Sequence, residues 1–475
     1  MNFVDYSFLF IFLPILLVVY YGTSRYRDGN LEPPRGRGRL LLLTIASYIF
    51  YAWWRVDFLG LLLFTTILDY NCAYAIHQAS DKLKKRAWLT LSITCNLLVL
   101  GYFKYFNFGI ESANHLLVWS RFEPIRYTKV FLPIGISFYT FESISYTVDV
   151  YRREIYPAPS LLHYAGFIAF FPHLIAGPII RYRDIGPQLV GAKHELSKCC
   201  RGVMLFIIGF GKKLLIADSV APVANAVFDG SRHGALDAWL GLFAFTMQLY
   251  FDFSGYSDMA MGLANLFGFD FPQNFDAPYR SASITEFWRR WHMSLSRWLR
   301  DYLYIPLGGN QKGEVRTYFN LFVTMVLGGL WHGANWTFVC WGAFHGILLS
   351  AERMRGKREF IAFPIRWMNV GFTFILVMIG WAIFRAPDMD SLGEVLKGMF
   401  GFYSYSDINS LLPYLRPTAI CALCAAPLIV AFAPQSILFV KNINTLKAFL
   451  LGGIFLLSLL KMIFSTQRTF LYFQF

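Results

Sequence analysis

Apolar residues in this chain come in long runs instead of the short stripes of a water-soluble fold. Runs of spanning or nearly spanning length fall at about residues 4–22, 40–54, 56–77, 88–106, 130–150, 161–180, 202–217, 236–268, 317–334, 335–351, 368–384, 417–433 and 446–464. A helix needs about 20 apolar residues to cross a bilayer core. Roughly ten to thirteen membrane segments are expected, because several runs are short enough to be re-entrant. The pattern therefore predicts an all-α polytopic membrane protein. No polar stretch is long enough to fold alone, so residues 1–475 are expected to form a single transmembrane domain.

Composition agrees with the pattern: 56% of residues are hydrophobic and 15% charged, with a mean hydropathy of +0.44. The positive charges cluster between runs. Arg25, Arg27, Arg35, Arg37 and Arg39 follow the first run, and Lys82, Lys84, Lys85 and Arg86 follow the third, which makes both loops cytoplasmic. The amino terminus then faces outward. Arg353, Arg355, Lys357, Arg358 and Arg366 mark a further inside loop, and residues 388–394 suit an outside one. The net charge of +14 follows from these loops and from a basic segment near His292, so membrane topology explains it and no nucleic-acid partner is expected. The first run lacks a basic leader and a small-residue cleavage site, and is expected to be a retained helix.

Standard soluble chemistries find no support. The chain has no G-x-S-x-G elbow, Walker loop, G-x-G-x-x-G or H-E-x-x-H. Cys421 and Cys424 form a C-x-x-C spacing inside an apolar run with no second pair or nearby histidine, which reads as packing, and no metal is expected. Asp252 and Asp258 lie in an apolar run with Gln248, Ser254 and Ser257. Pairing with a Lys or Arg from another segment is the commoner arrangement for such acids, and an ion or proton path is the alternative.

The segment 282–305 is the least like a spanning helix. Ser283-Ile284-Thr285-Glu286 fits a capping box, and Pro306 stops helix at Ile305. Ile284, Trp288, Trp291, Leu295, Trp298 and Tyr302 recur at helical spacing, with Arg289, Arg297 and Arg300 on other positions. One amphipathic helix along the cytoplasmic interface is predicted, with His292 beside the apolar stripe and pointing inward. A plain anchor explains this much: tryptophans at headgroup level and arginines against anionic membrane lipid. A donor-entry role is compatible with it, since Arg289, Arg290 and Arg297 suit the phosphates of a coenzyme A thioester or a phosphopantetheine carrier.

His332 is set differently. A helix beginning near Thr317 reaches it after about 24 Å of rise, Gly333 can stop that helix, and Asn335 can cap the next. His332 would sit at the turn of a helical hairpin. The helix carboxyl terminus there favours an imidazolium, and burial opposes it. A buried histidine bonded to a backbone carbonyl is the alternative to catalysis.

Long motifs then carry a resemblance. Gln248–Phe269 (QLYFDFSGYSDMAMGLANLFGF), Pro272–Gly309 (containing WRRWHMSLSRWLRDYLYIPLGG), Gly328–Gly346 (GGLWHGANWTFVCWGAFHG), Phe131–Arg152 and Phe170–Tyr182 (FFPHLIAGPIIRY) together resemble the membrane-bound O-acyltransferase family. Within it they are most similar to the branch containing the membrane subunit of alginate O-acetyltransferase. The resemblance implies a helical bundle enclosing a tunnel, with re-entrant and interfacial helices. It implies that His332 matches the principal catalytic histidine and His292 the second motif histidine. Asn274 and Asn335 are expected as polar helpers.

The activity so implied is acetyl transfer from a cytoplasmic thioester, acetyl-CoA, across a bacterial inner membrane. No permanently bound cofactor is expected. A periplasmic acetyltransferase partner would then modify an extracytoplasmic polysaccharide: alginate, cellulose, peptidoglycan or another exopolysaccharide. D-alanyl transfer to teichoic acid is the nearest alternative; a transporter using Asp252 and Asp258, and a scaffold for a secretion complex, are the others.

Overall fold

A computed structural model of the chain describes residues 1–22, 25–27, 30–32, 37–191, 194–230, 233–356, 363–403, 410–464 and 470–471. Arg35, Lys357 and Arg358, used above for topology, lie outside the described residues. Helices dominate, as the apolar runs predict; Arg25–Arg27 and Asn30–Glu32 form a two-stranded antiparallel hairpin. The chain divides into two compact units: Met1–Gly202 with Leu263–Pro272, and Val203–Gly262 with Gln273–Phe475.

The first unit contains α1 (Leu13–Gly22), α2 (Arg37–Ala52), α3 (Asp57–Gln78), α4 (Lys82–Leu100), α5 (Phe106–Trp119), α6 (Ile136–Tyr151), α7 (Leu161–Ile168), α8 (Phe171–Leu174) and α9 (Tyr182–Gly191). Helix α10 (Leu196–Gly211) follows. Several buried polar groups in this unit are bonded to one another. Asp69 on α3 accepts from Ser92 Oγ at 2.6 Å and from Asn96 Nδ2 at 2.9 Å, both on α4. Glu142 on α6 faces His173 Nδ1 at 2.9 Å and accepts from the Ile180 amide at 3.2 Å. The apolar run at 161–180 is not one helix: α7 ends at Ile168, Pro172 opens the single turn α8, and Gly177 takes φ +109°.

The second unit contains α11 (Asp218–Phe228), α12 (Ala235–Leu266, 32 residues), α13 (Ile284–Arg290), α14 (Met293–Leu299), α15 (Glu314–His332), α16 (Trp336–Met354), α17 (Arg366–Arg385), α18 (Met389–Met399), α19 (Pro417–Phe432), α20 (Ser436–Phe439) and α21 (Thr445–Phe464). Aromatic rings from α12, α13, α16 and α17 fill its core, with Trp341 and Trp381 each 1% exposed. Helices α15 and α16 form the predicted hairpin. They approach closely because Gly329 and Gly342 face each other: a Cβ on Gly342 would lie 2.7 Å from Val326 Cα and against the Met325 carbonyl.

Among the described residues four helices are long and apolar enough to cross a membrane: Asp57–Gln78, Lys82–Trp119, Arg366–Arg385 and Thr445–Phe464. The other expected segments are shorter helices, broken ones, or helices whose apolar residues are interleaved with polar ones. Phe8–Gly22 and Pro417–Phe432 are apolar but shorter.

Candidate active site

The segment 282–305 starts as its sequence predicts and then departs from it. Ser283 Oγ accepts from the Glu286 amide at 3.0 Å, the first half of the capping box. The returning bond is shifted by one residue, since Glu286 Oε2 accepts from the Ala282 amide at 2.8 Å. The remaining amides of that turn, Ile284 and Thr285, donate to the two carboxylate oxygens of Glu352 on α16, at 2.6 and 2.8 Å. A buried carboxylate at a helix amino terminus satisfies both orphan donors and opposes the helix dipole. It also ties α13 to the hairpin that bears His332.

The single amphipathic helix is instead two short ones. Helix α13 stops at Arg290, His292 takes the left-handed conformation at φ +42°, and α14 starts at Met293. The reason is tertiary: the Asn274 carbonyl accepts from the Met293 amide at 2.9 Å and its Oδ1 accepts from the Ser294 amide at 3.2 Å. These bonds replace the helical bonds that a continuous helix would make. The apolar stripe survives the break, with Ile284, Trp288, Trp291, Leu295 and Trp298 all buried.

His292 points inward as expected and is fully buried. It lies outside the four candidate spans, and burial pushes its pKa down to about 3, so the ring is neutral at physiological pH. Its tautomer follows from its neighbours. The Ser294 backbone N–H can only donate, so the Asn274 atom facing it is the oxygen. That same Oδ1 lies 3.2 Å from His292 Nδ1 and 2.9 Å from Ser294 Oγ. Nδ1 therefore carries the hydrogen, and Nε2 is the lone-pair nitrogen.

His332 is the last residue of α15, and Gly333 continues in extended conformation at φ −161°. Asn335 then caps α16, its Oδ1 accepting from the Thr337 amide at 3.2 Å. The hairpin turn is thus built as its sequence predicts. Within it His332 is 8% exposed, among the rings of Trp331, Trp341 and Phe384 at 5.0, 5.2 and 5.4 Å between centroids, all edge-on.

The two histidines, 40 residues apart in sequence, converge to 6.3 Å between ring centroids. Phe253 of α12 packs edge-on against His292 at 4.7 Å. It also borders, with His332, Trp291, Trp341, Trp381 and Phe384, a cavity of about 10 Å³, room for about one water. The lining is aromatic apart from His332 and Leu249, a setting in which a proton-accepting nitrogen is shielded from bulk water.

The other expected site residues are placed less centrally. Asn274 belongs to the site through His292. Asn335 is committed to the backbone, its Nδ2 donating to the Pro387 carbonyl at 2.5 Å besides capping α16. Arg289 is exposed. Arg290 is engaged by Glu286 at 3.0 Å and by Asp276 at 3.6 Å, and Arg297 is half-buried. Asp252 and Asp258 form the ion pairs expected of buried acids, with Lys213 and Lys212, each at 2.7 Å. Sequence reasoning missed Glu352, Ser257 and Ser294, whose roles depend on partners far along the chain.

Comparison with known proteins matches residues 49–379 to the membrane-bound O-acyltransferase family. The chain is 51% identical over 409 residues to a probable alginate O-acetylase of Azotobacter vinelandii, covering 85% of this chain and 79% of that one. It is 36% identical to a peptidoglycan O-acetyltransferase of Helicobacter pylori, covering 98% of this chain and 96% of the relative. A teichoic acid D-alanyltransferase of Bacillus subtilis is 31% identical over 53% of this chain and 68% of its own length. The matched span contains both converging histidines, their asparagine and the hairpin, and on that ground this chain is an acyltransferase belonging to the membrane-bound O-acyltransferase family.

Proposed function

We propose that the chain transfers acetyl groups from a cytoplasmic thioester, acetyl-CoA, toward a polysaccharide outside the bacterial inner membrane. The observation that carries this reading is the convergence of His332 and His292 to 6.3 Å between ring centroids, with His332 bordering a small aromatic cavity. The relatives support acetyl as the group moved. Relatives named as O-acetylating enzymes match over 85% and 98% of this chain, against 53% for the D-alanyl transferase.

In the proposed reaction His332 accepts the proton of the acceptor hydroxyl as its oxygen attacks the thioester carbonyl. The C–O bond forms, the C–S bond breaks, and the departing thiolate takes the proton back from His332. His292, neutral and protonated on Nδ1, contributes a lone-pair nitrogen on a ring 6.3 Å from that of His332. The exposed Arg289 and the half-buried Arg297 meet the phosphates of the donor. A periplasmic acetyltransferase partner takes the acetyl group on to the polymer.

The test is the acetate content of envelope and secreted polysaccharides in a deletion strain. Loss of acetate, restored by the wild-type gene, is expected. Unchanged acetate accompanied by loss of D-alanine esters would replace this reading with D-alanyl transfer.

A further inference from the structure

The pair formed by Asn274 and His292 is itself held from behind. Asn274 Nδ2 donates to Ser257 Oγ on α12 at 3.2 Å, and the next residue, Asp258, belongs to a closed triangle. Lys212 Nζ donates to Asp258 Oδ2 at 2.7 Å and to Ser436 Oγ at 2.9 Å, while Ser436 Oγ donates to Asp258 Oδ2 at 2.6 Å. Lys212 opens a π-helical turn, Lys212–Ala217, a distortion that often marks functional positions. Between the triangle and Asn274 lies a second cavity of about 10 Å³, bordered by Lys212, Ser254, Ser257, Asp258, Asn274 and Gln435. Its walls are polar where the cavity at His332 is aromatic. Ser254, only 2% exposed, borders it with an Oγ that has no hydrogen-bond partner among the described residues.

We propose that this cavity is an ordered-water site, and that the water joins the Lys212–Asp258–Ser436 triangle to the Ser257–Asn274–His292 chain, buttressing Asn274 and through it the position of His292, whose tautomer the Ser294 amide already sets. The volume fits about one water, and such a water needs two to four polar partners. Four are at hand. Ser257 Oγ already accepts from Asn274, so its own hydrogen is donated to the water. Lys212 has a third N–H to give. The water's two hydrogens go to the Asp258 carboxylate and to Ser254 Oγ, satisfying the atom otherwise left unbonded. The donors of this chain agree with the orientation that the Ser294 amide imposes: Ser257 receives the Asn274 amide hydrogen, Asn274 turns Oδ1 to His292, and His292 carries its hydrogen on Nδ1. Ser254, Ser257 and Asp258 are positioning residues, acting on the chemistry only through His292.

The consequence for rate rests on the acyl-transfer reading; the water and the tautomer do not. The decisive experiment is 15N NMR of full-length histidine-labelled protein, with His292→Asn identifying the His292 signals. The wild type is expected to show a single Nδ1-protonated neutral ring. Ser257→Ala is expected to keep that tautomer, which the Ser294 amide sets, but to shift or broaden the His292 signals and to lower kcat about tenfold, with KM changed by less than about twofold. Ser254→Ala, which removes only a ligand of the water, serves if Ser257→Ala fails to accumulate; a kcat lowered about threefold is expected. Unchanged His292 signals with unchanged kcat in the variant that accumulates would overturn the proposal. So would an experimental density map of the wild-type protein that resolves ordered water elsewhere and finds this cavity empty. Either failure leaves untouched the loss of transfer expected at His332→Ala, so the two readings fail separately.

Discussion

Replacing Glu352 by Gln tests whether the segment carrying His292 is held in place by the hairpin carrying His332. The carboxylate accepts the Ile284 and Thr285 amides at 2.6 and 2.8 Å, and it is 1% exposed. A glutamine of the same shape keeps one oxygen but turns an NH2 toward the second amide, which leaves two donors facing each other. A hydrogen bond to a charged group contributes about 1.5–3 kcal/mol, and the lost charge at the amino terminus of α13 adds about 0.3–1 kcal/mol. The sum, about 3 kcal/mol, corresponds to roughly a hundredfold rise in local opening. Hydrogen exchange followed by mass spectrometry on detergent-solubilised protein reads this directly over residues 284–290. Protection there should fall by about two orders of magnitude while α17, which receives neither bond, stays protected. Acetyl transfer should fall in kcat, because His292 loses its fixed distance from His332. Wild-type protection at Ile284 and Thr285 in Glu352→Gln would refute the tether.

Further outcomes follow from other contacts. Gly342→Leu should prevent folding of the hairpin, since even a Cβ would meet Val326 Cα at 2.7 Å; loss of monodisperse protein on size exclusion reads this, and a well-folded variant would contradict it. Lys213→Met should destabilise the second unit by about 3–5 kcal/mol by stranding Asp252 and Asp218, which Lys213 Nζ contacts at 2.7 and 2.6 Å; a lowered melting temperature in detergent is the readout. Because burial pushes His292 down to about 3, the folded state binds fewer protons than the unfolded chain between that value and the ordinary imidazole pKa of about 6.5. Stability should therefore fall as pH drops through this window, by up to about 1.4 kcal/mol per unit from this group. His292→Asn, which tolerates the left-handed conformation, should show a shallower decline between pH 6.5 and 4.5.

The parts of the site legible in the sequence are those fixed by near neighbours. Gly333 stops α15 and Asn335 caps α16 within three residues of His332, so the hairpin and its histidine can be read locally. The break at His292 cannot, because periodicity and the capping box both favour one helix through it. What overrides them is Asn274, 18 residues upstream, whose backbone and side-chain oxygens take the Met293 and Ser294 amides. The left-handed residue this creates costs about 1–3 kcal/mol, a strain that sites tolerate when surrounding contacts fix it. Arginine roles were similarly hidden: Arg290 looks like its neighbour Arg289 in sequence, yet Glu286 and Asp276 claim it. For Asp252 and Asp258 the kind of partner was legible and its identity was not, since adjacent lysines in one π-helical turn serve different carboxylates.

The most direct measurement is transfer of labelled acetyl from acetyl-CoA by inner-membrane vesicles carrying equal amounts of wild-type protein or His332→Ala and supplied with periplasmic extract, with the isolated polysaccharide as the readout. Label should reach the polymer with the wild type and fall to background with His332→Ala, while the variant keeps the wild-type melting temperature. Transfer at the wild-type rate by a folded His332→Ala protein would remove His332 from the chemistry and contradict the central claim.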